Sequence, residues 1–261
     1  MRFIVQPDGA KHDHIEHHSH ARWCSAVSSR LARRGSGGQH RRLCRQLFAA
    51  ERYVDVSDDA ARVARLSLIT YDRRGHGRSG DPGRGYDYDT LADDLAAVIK
   101  SLDLRDITLV GYSMGGAEVV RYLTRHGSAR VSRLMLVAST LPMLSDGIPH
   151  EYVDAFQRDL LTDYPQWLAD NARPFTGPNV SQAMDREMAL RTSHQALFEC
   201  NETVVSGDFR AELPRIDVPT LIVQSDRDVS NPLELTSQRT AQLMPNARLV
   251  VYDNAPHGIF F

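Results

Sequence analysis

A serine hydroxyl becomes a nucleophile when a base takes its proton and a carboxylate orients that base. The run Gly111-Tyr112-Ser113-Met114-Gly115-Gly116 is where such a serine would sit. Asp106–Gly111 before it is apolar enough to read as a strand buried on both faces, and Met114–Arg125 after it reads as a helix. A G-x-S-x-G motif on a strand-to-helix turn holds its serine in a strained conformation. The flanking glycines let strand and helix approach, and the hydroxyl projects above the carboxyl end of the sheet. An ordinary glycine-rich turn or a phosphate cradle is the competing reading, but a P-loop would end in Lys-Ser/Thr, and this run does not.

With a serine so placed, the acid and then the histidine follow in chain order. His257, in Ala255-Pro256-His257-Gly258, lies just past the last apolar strand. Asp228, in Ser225-Asp226-Arg227-Asp228, lies just past the strand before it. Both loops leave the sheet edge that carries Ser113. Asp226 competes for the acid role, but it sits closer to the strand and is better placed to brace the loop. His76, in the glycine-rich turn Asp72–Gly80, precedes the serine, and its segment reads as structural, tied down by Asp72 and the arginines. His126, His150 and His194 fall at helix ends or in the cap, with no nameable carboxylate partner. The Met114 backbone N–H is the expected oxyanion donor, and no second donor is identifiable.

Further elements must position these groups. Leu66–Tyr71 and Leu134–Ala138 read as strands, and Thr90–Leu102 reads as an amphipathic helix. Pro219–Gln224 and Arg248–Tyr252 read as strands, with Asn231-Pro232 opening a helix that runs to about Met244. Strand and helix alternate as in a parallel α/β sheet. Across 145–212 the rhythm stops. Glu151–Leu161 and Gln182–Val205 look helical, and the segment reads as a helical cap over the sheet. Phe156, Trp167, Phe175 and Phe198 there suit either an apolar pocket or packing of the cap itself.

The first 65 residues read as irregular. Five histidines between His12 and His20 precede an Arg-rich stretch with no sustained period. Residues 1–50 carry nine Lys/Arg against three Asp/Glu, and the remainder 22 against 30. A His-rich metal tract or an Arg-rich nucleic-acid arm is disfavoured, because neither ligand spacing nor interleaved aromatics are present. The net charge of −2 gives no reason to expect nucleic acid or a membrane as partner. The expected partner is a small acyl substrate, and oligomeric state is not legible. Three scattered cysteines make no disulfide framework, and neither a signal peptide nor a membrane span is evident, so the cytoplasm is the expected location.

Several runs together resemble the α/β-hydrolase superfamily across residues 66–261, and within it the cofactor-free (non-haem) haloperoxidase and aryl-esterase group. They are Tyr71–Ser79, Gly85–Leu95, the Ser113 motif, Arg121-Tyr122 through Gly127–Val131, and Ala255–Gly258. The resemblance implies Ser113, Asp228 and His257 as a catalytic triad. It implies ester hydrolysis and, with peroxide and a carboxylic acid, perhydrolysis to a peracid that oxidises halide. It implies no metal, haem or other cofactor. Members of the group carry strands ahead of the Tyr71 segment, one ending in a His-Gly turn that completes the oxyanion hole, and a final helix after the histidine. No such His-Gly precedes Leu66, and the chain ends at Phe261. A permissible coding of Arg52–Ser67, shifted forward one nucleotide, reads AMWTYQMMPLAWQGYR, similar to what the group carries there. With 29 arginines and two lysines, the composition suits a GC-rich gene read out of frame. The expected layout is therefore an irregular segment over 1–65, with N-terminal strands missing or garbled, a core over 66–144 and 213–261, and a cap over 145–212. A C–C or lactone hydrolase is the rival reading on the same scaffold. A non-catalytic binding module or defective gene product is the rival from another class.

Overall fold

The computed structural model describes residues 15–19, 42–46, 67–146, 148, 150–167, 170 and 191–259. Among the described residues seven strands form one sheet: β1 Ile15–Ser19, β2 Arg42–Gln46, β3 Ser67–Thr70, β4 Ile107–Tyr112, β5 Val131–Val137, β6 Thr220–Ser225 and β7 Ala247–Asp253. Their order is β1-β7-β6-β5-β4-β2-β3, and each adjacent pair runs parallel. From β3 the chain steps back to β4 and then moves one strand at a time to β7. Such a reversal of strand order opens a crevice at the carboxyl ends of the strands, where open α/β sheets bind ligands.

β4 is buried along its whole length, as its unbroken apolar run requires. Its side chains alternate between two cores. Ile107 and Leu109 face the larger one, with α1 (Tyr88–Ser101) and α2 (Met114–His126). Val110 and Tyr112 face a second cluster with Met135, Val137, Val223, Val250 and Tyr252. α1 begins where its sequence allows, since the Asp87 side chain accepts from the Thr90 N–H at 2.9 Å.

Two expectations are corrected. The segment 1–65 is not uniformly irregular: β1 pairs with β7, and β2 lies between β3 and β4. The main-chain ladder is the physical reason, because strand neighbours offer hydrogen bonds to any backbone whatever its side-chain pattern. The shifted-frame reading of Arg52–Ser67 falls, Ser67 apart, outside the described residues. Second, the helix expected from Pro232 begins only at Ser237, as α5 Ser237–Leu243. Pro232 opens a turn instead, accepting from the Leu235 and Thr236 N–H groups.

Between β5 and β6 the described residues hold α3 (His150–Thr162) and α4 (His194–Ser206). α4 starts at His194 because the Ser193 hydroxyl caps it, accepting from the Ala196 N–H at 3.0 Å. Of the helix expected over Gln182–Val205, residues 194–205 are helical and 191–193 are not, while 171–190 lie outside the described residues. Arg191–Ser193 is instead stitched to the glycine-rich turn. The Gly77 N–H donates to the Arg191 carbonyl at 3.0 Å, and the Ser193 N–H to that of Gly75 at 2.9 Å. Among the described residues no helix is long and apolar enough to cross a membrane.

That turn is anchored by charge. Arg73 is buried, and its Nε and Nη2 meet Glu118 Oε2 at 3.0 and 2.7 Å. Tyr71 Oη donates to Glu118 Oε1 at 3.0 Å. Burial opposes the charge on Arg73, but Glu118 outweighs it and raises the guanidinium above its ordinary value. Glu118 lies on α2 one turn past Ser113, so the pair fastens the β3 exit to α2. Glu118→Gln removes the facing charge and should cost about 3–5 kcal/mol in chemical denaturation. A loss below about 1 kcal/mol would show that the pair adds nothing net.

Candidate active site

Ser113 occupies the sharp turn between β4 and α2 at φ 52°, ψ −125°. A non-glycine residue holds that region only when its surroundings demand it. Here the Ser113 N–H donates to the Val137 carbonyl at 2.9 Å, and its own carbonyl accepts from Gly116 N–H at 3.0 Å. A Cβ at Gly111 would collide with the Gly115 carbonyl, and one at Gly116 with Ser139 Oγ. These glycines are therefore needed for close approach. Met114 opens α2, so its N–H is one of those that have no acceptor one turn back in the helix.

His257 lies beyond the end of β7, in a loop whose main chain is held from several sides. Asn254 N–H donates to Asp226 Oδ1 at 2.6 Å, Ser225 Oγ to the Pro256 carbonyl at 3.1 Å, and Tyr112 Oη to the His257 carbonyl at 3.2 Å. His257 Nε2 lies 3.2 Å from Ser113 Oγ, and Nδ1 lies 2.7 Å from Asp228 Oδ2. The His257 and Asp228 side chains are wholly buried. Asp228 Oδ1 accepts from the Ser230 and Asn231 N–H groups at 2.9 and 2.8 Å. Both carboxylate oxygens therefore act as acceptors. That places the proton of the neutral imidazole on Nδ1 and leaves Nε2 to accept from the serine.

The structure thus brings Ser113, His257 and Asp228 into one hydrogen-bonded series. Asp226 is turned away to brace the histidine loop. Asn231, expected to open a helix with Pro232, instead donates from Nδ2 to the Ala138 carbonyl at 2.7 Å. Its own carbonyl accepts from Gln224 Nε2. It ties the loop that carries Asp228 to the exit of β5. Tyr112, Ser225 and Asn231 were missed as site-supporting residues. Each acts through a main-chain carbonyl, which no side-chain pattern announces.

The other histidines lie elsewhere. His126 has a carboxylate partner after all, Asp93 on α1, at 2.8 Å. His194 lies edge-on to Tyr164. The side chain of His150 lies outside the described residues. His76 Nδ1 donates to the Arg74 carbonyl at 2.9 Å. Burial and then the Arg73 charge lower its pKa to about 4. Because the folded value lies below the ordinary value of about 6.5, unfolding takes up a proton as pH falls between the two. The associated stability is full above pH 6.5 and is lost as pH approaches 4, on the order of 3 kcal/mol. His76→Asn keeps a donor for Arg74 and should flatten the decline in stability between pH 6.5 and 4.5. An unchanged slope would show that His76 is not its source.

Trp167 stacks on Tyr164, with centroids 6.4 Å apart, in a small cluster with Leu197. Packing within the cap therefore accounts for this aromatic. Phe198 is half-buried, and Phe175 and the Phe156 side chain lie outside the described residues. The C-terminal end of β2 lies beside β4, with Gln46 in register with Gly111. The backbone leaving β2 therefore emerges level with the Ser113 turn. The residues after Gln46 lie outside the described ones, so the second oxyanion donor stays unassigned.

Residues 30–261 match the model of the alpha/beta hydrolase family. A non-heme chloroperoxidase of Kitasatospora aureofaciens is 38% identical over 205 residues, covering 73% of this chain and 74% of that protein. A bifunctional esterase/perhydrolase of Acinetobacter calcoaceticus is 33% identical over 207 residues, covering 74% and 75%. Among solved structures, the bromoperoxidase from Bacillus anthracis superposes with a TM-score of 0.80 at 28% identity, covering 85% of this chain and 87% of that one.

Proposed function

We propose that this chain, which belongs to the alpha/beta hydrolase family and to its non-haem haloperoxidase group, hydrolyses carboxylic esters through Ser113, His257 and Asp228. The observation that carries the reading is the continuous series from Ser113 Oγ through His257 to Asp228. Ser113 Oγ attacks the ester carbonyl while its proton passes to His257 Nε2. The Oγ–C bond forms, and the carbonyl electron pair moves onto oxygen. The Met114 N–H donates to that oxyanion, and the positive end of α2 supports it. As the C–O bond to the alcohol breaks, His257 returns the proton to the departing oxygen. Water then attacks the acyl-serine with His257 as base, releasing the acid and restoring Ser113. Asp228 holds the imidazole in the required tautomer throughout. Helices α3 and α4 form the wall over the acyl site in this reading.

Perhydrolysis is the second outcome at the same site, favoured by the kinship to a non-heme chloroperoxidase and an esterase/perhydrolase. A carboxylic acid acylates Ser113 with loss of water, and hydrogen peroxide replaces water as the second nucleophile. The products are a peracid and free serine. The peracid then takes halide and a proton to hypohalous acid, returning the carboxylic acid. No step calls on a bound metal or haem.

The test is turnover of p-nitrophenyl acetate, followed by titration with diethyl p-nitrophenyl phosphate. One p-nitrophenol released per chain, with complete loss of esterase activity, is expected. Ester turnover that persists after stoichiometric phosphorylation would overturn the reading. Bromination with peroxide should require added acetate, and bromination without any carboxylic acid would exclude the peracid route. A non-catalytic chain would show neither activity.

A further inference from the structure

We propose that Tyr112 is a positioning residue that sets the meeting distance of Ser113 and His257, an inference that rests on the triad reading above. Tyr112 ends β4, immediately before the serine, but its side chain lies on the sheet face opposite α2. There it reaches across the exits of β5 and β6 to the loop after β7. Its hydroxyl donates to the His257 main-chain carbonyl at 3.2 Å. Its ring lies against the imidazole, with centroids 5.0 Å apart and planes inclined at 38°. The Tyr112 side chain is itself buried, so the contact is protected from solvent.

The value of this contact lies in where it starts. The Asn254–Asp226 and Pro256–Ser225 bonds fasten the histidine loop to the end of β6. They relate His257 to the strand that leads to Asp228. Tyr112 instead relates it to the strand that carries the nucleophile. Ser113 and Tyr112 are adjacent, so any shift of the elbow is passed to the base through one rigid side chain. At 3.2 Å the Nε2···Oγ separation already sits at the outer limit of hydrogen-bond reach. Further drift would weaken proton transfer directly, and a misplacement of about 1 Å costs about a hundredfold in rate.

Two parts can be separated. Tyr112→Phe keeps the ring and removes the hydroxyl, leaving the His257 carbonyl with its bond from the Ile259 N–H at 2.8 Å. Tyr112→Leu removes the ring as well. For p-nitrophenyl acetate, Tyr112→Phe should lower kcat about tenfold, a fraction of the hundredfold cost of a 1 Å error. KM should stay within about twofold, because the side chain is buried in the cluster on the sheet face opposite α2. Tyr112→Leu should lose about a hundredfold. Counting competent sites by organophosphate titration separates slowed turnover from lost fold. The titre of Tyr112→Phe should equal that of the parent, with an unchanged Tm. Parent-like kcat in Tyr112→Phe would overturn the inference, and so would a loss that merely tracks the titre or appears in KM alone. Ser113→Ala run alongside keeps the two readings apart. Turnover that survives Ser113→Ala sinks the triad. Turnover that needs Ser113 but ignores the Tyr112 hydroxyl sinks this inference alone.

Discussion

Ser113→Ala is expected to lower kcat for p-nitrophenyl acetate by about 10⁶ while leaving the fold intact. The size follows from the role proposed for the hydroxyl: its oxygen is the atom that would become acylated, and nothing else described at the site takes its place. Residual turnover would come from the Met114 N–H and from substrate binding, which alone give about 10³–10⁴ over water. The variant should not weaken folding. Ser113 is held through its backbone, by its bonds to Val137 and Gly116, and its Oγ contacts His257 at only 3.2 Å. The strained φ of 52° at this position is equally hard for alanine and serine. A Tm within a few degrees of the parent is therefore the companion result. Ester turnover within tenfold of the parent, with contaminating esterase excluded by titration, would remove Ser113 from the chemistry. A rate that falls together with the Tm would point instead to a structural role.

How far this site could be read from the sequence differs residue by residue. The Ser113 turn was legible because its physics is local: an apolar strand, a helix, and glycines at the positions where a Cβ meets backbone or Ser139. Asp228 and His257 were legible by position, each in the first loop past a readable strand. The preference over Asp226 rested on closeness to the strand, and Asp226 does bind the Asn254 N–H. Tyr112 and Asn231 were not legible as supports. Tyr112 meets His257 across 145 residues of chain, and Asn231 meets Ala138 across 93, in both cases at a carbonyl that any residue would carry. The strands Ile15–Ser19 and Arg42–Gln46 were not legible either. Ile-Glu-His-His-Ser and Arg-Leu-Cys-Arg-Gln lack both the apolar run and the alternation that mark strands. Their place comes from ladder bonds to β7, β3 and β4, which are long-range and indifferent to side chain. Arg73 with Glu118 is intermediate. The loop's arginines looked structural, but their buried partner on the nucleophile helix could not be named without the fold.

Asp228→Asn should lower kcat by about 10⁴ without unfolding the chain, and the reason is the direction of its hydrogen bonds. Oδ1 of Asp228 receives two main-chain N–H groups, from Ser230 and Asn231. An asparagine there keeps its carbonyl oxygen toward those two donors, because turning the amide round would set N–H against N–H. Its NH₂ group must then face His257 Nδ1, where a carboxylate oxygen now lies at 2.7 Å. The imidazole can meet an N–H donor there only by making Nδ1 the acceptor. The ring proton moves to Nε2, and Nε2 loses the lone pair that must accept from Ser113 Oγ–H. The loss thus comes from a wrong tautomer in an otherwise unchanged frame. The Tm should stay close to that of the parent, since both backbone donors keep their acceptor. Reaction with diethyl p-nitrophenyl phosphate should slow in parallel with ester turnover, because both need Ser113 activated by the same base. A kcat within tenfold of the parent would show that Asp228 does not orient His257. In that case Asp226→Asn becomes the variant in which a large loss must appear. With Asp228 in the orienting role, Asp226→Asn should cost less than tenfold, because an asparagine carbonyl still accepts from that N–H.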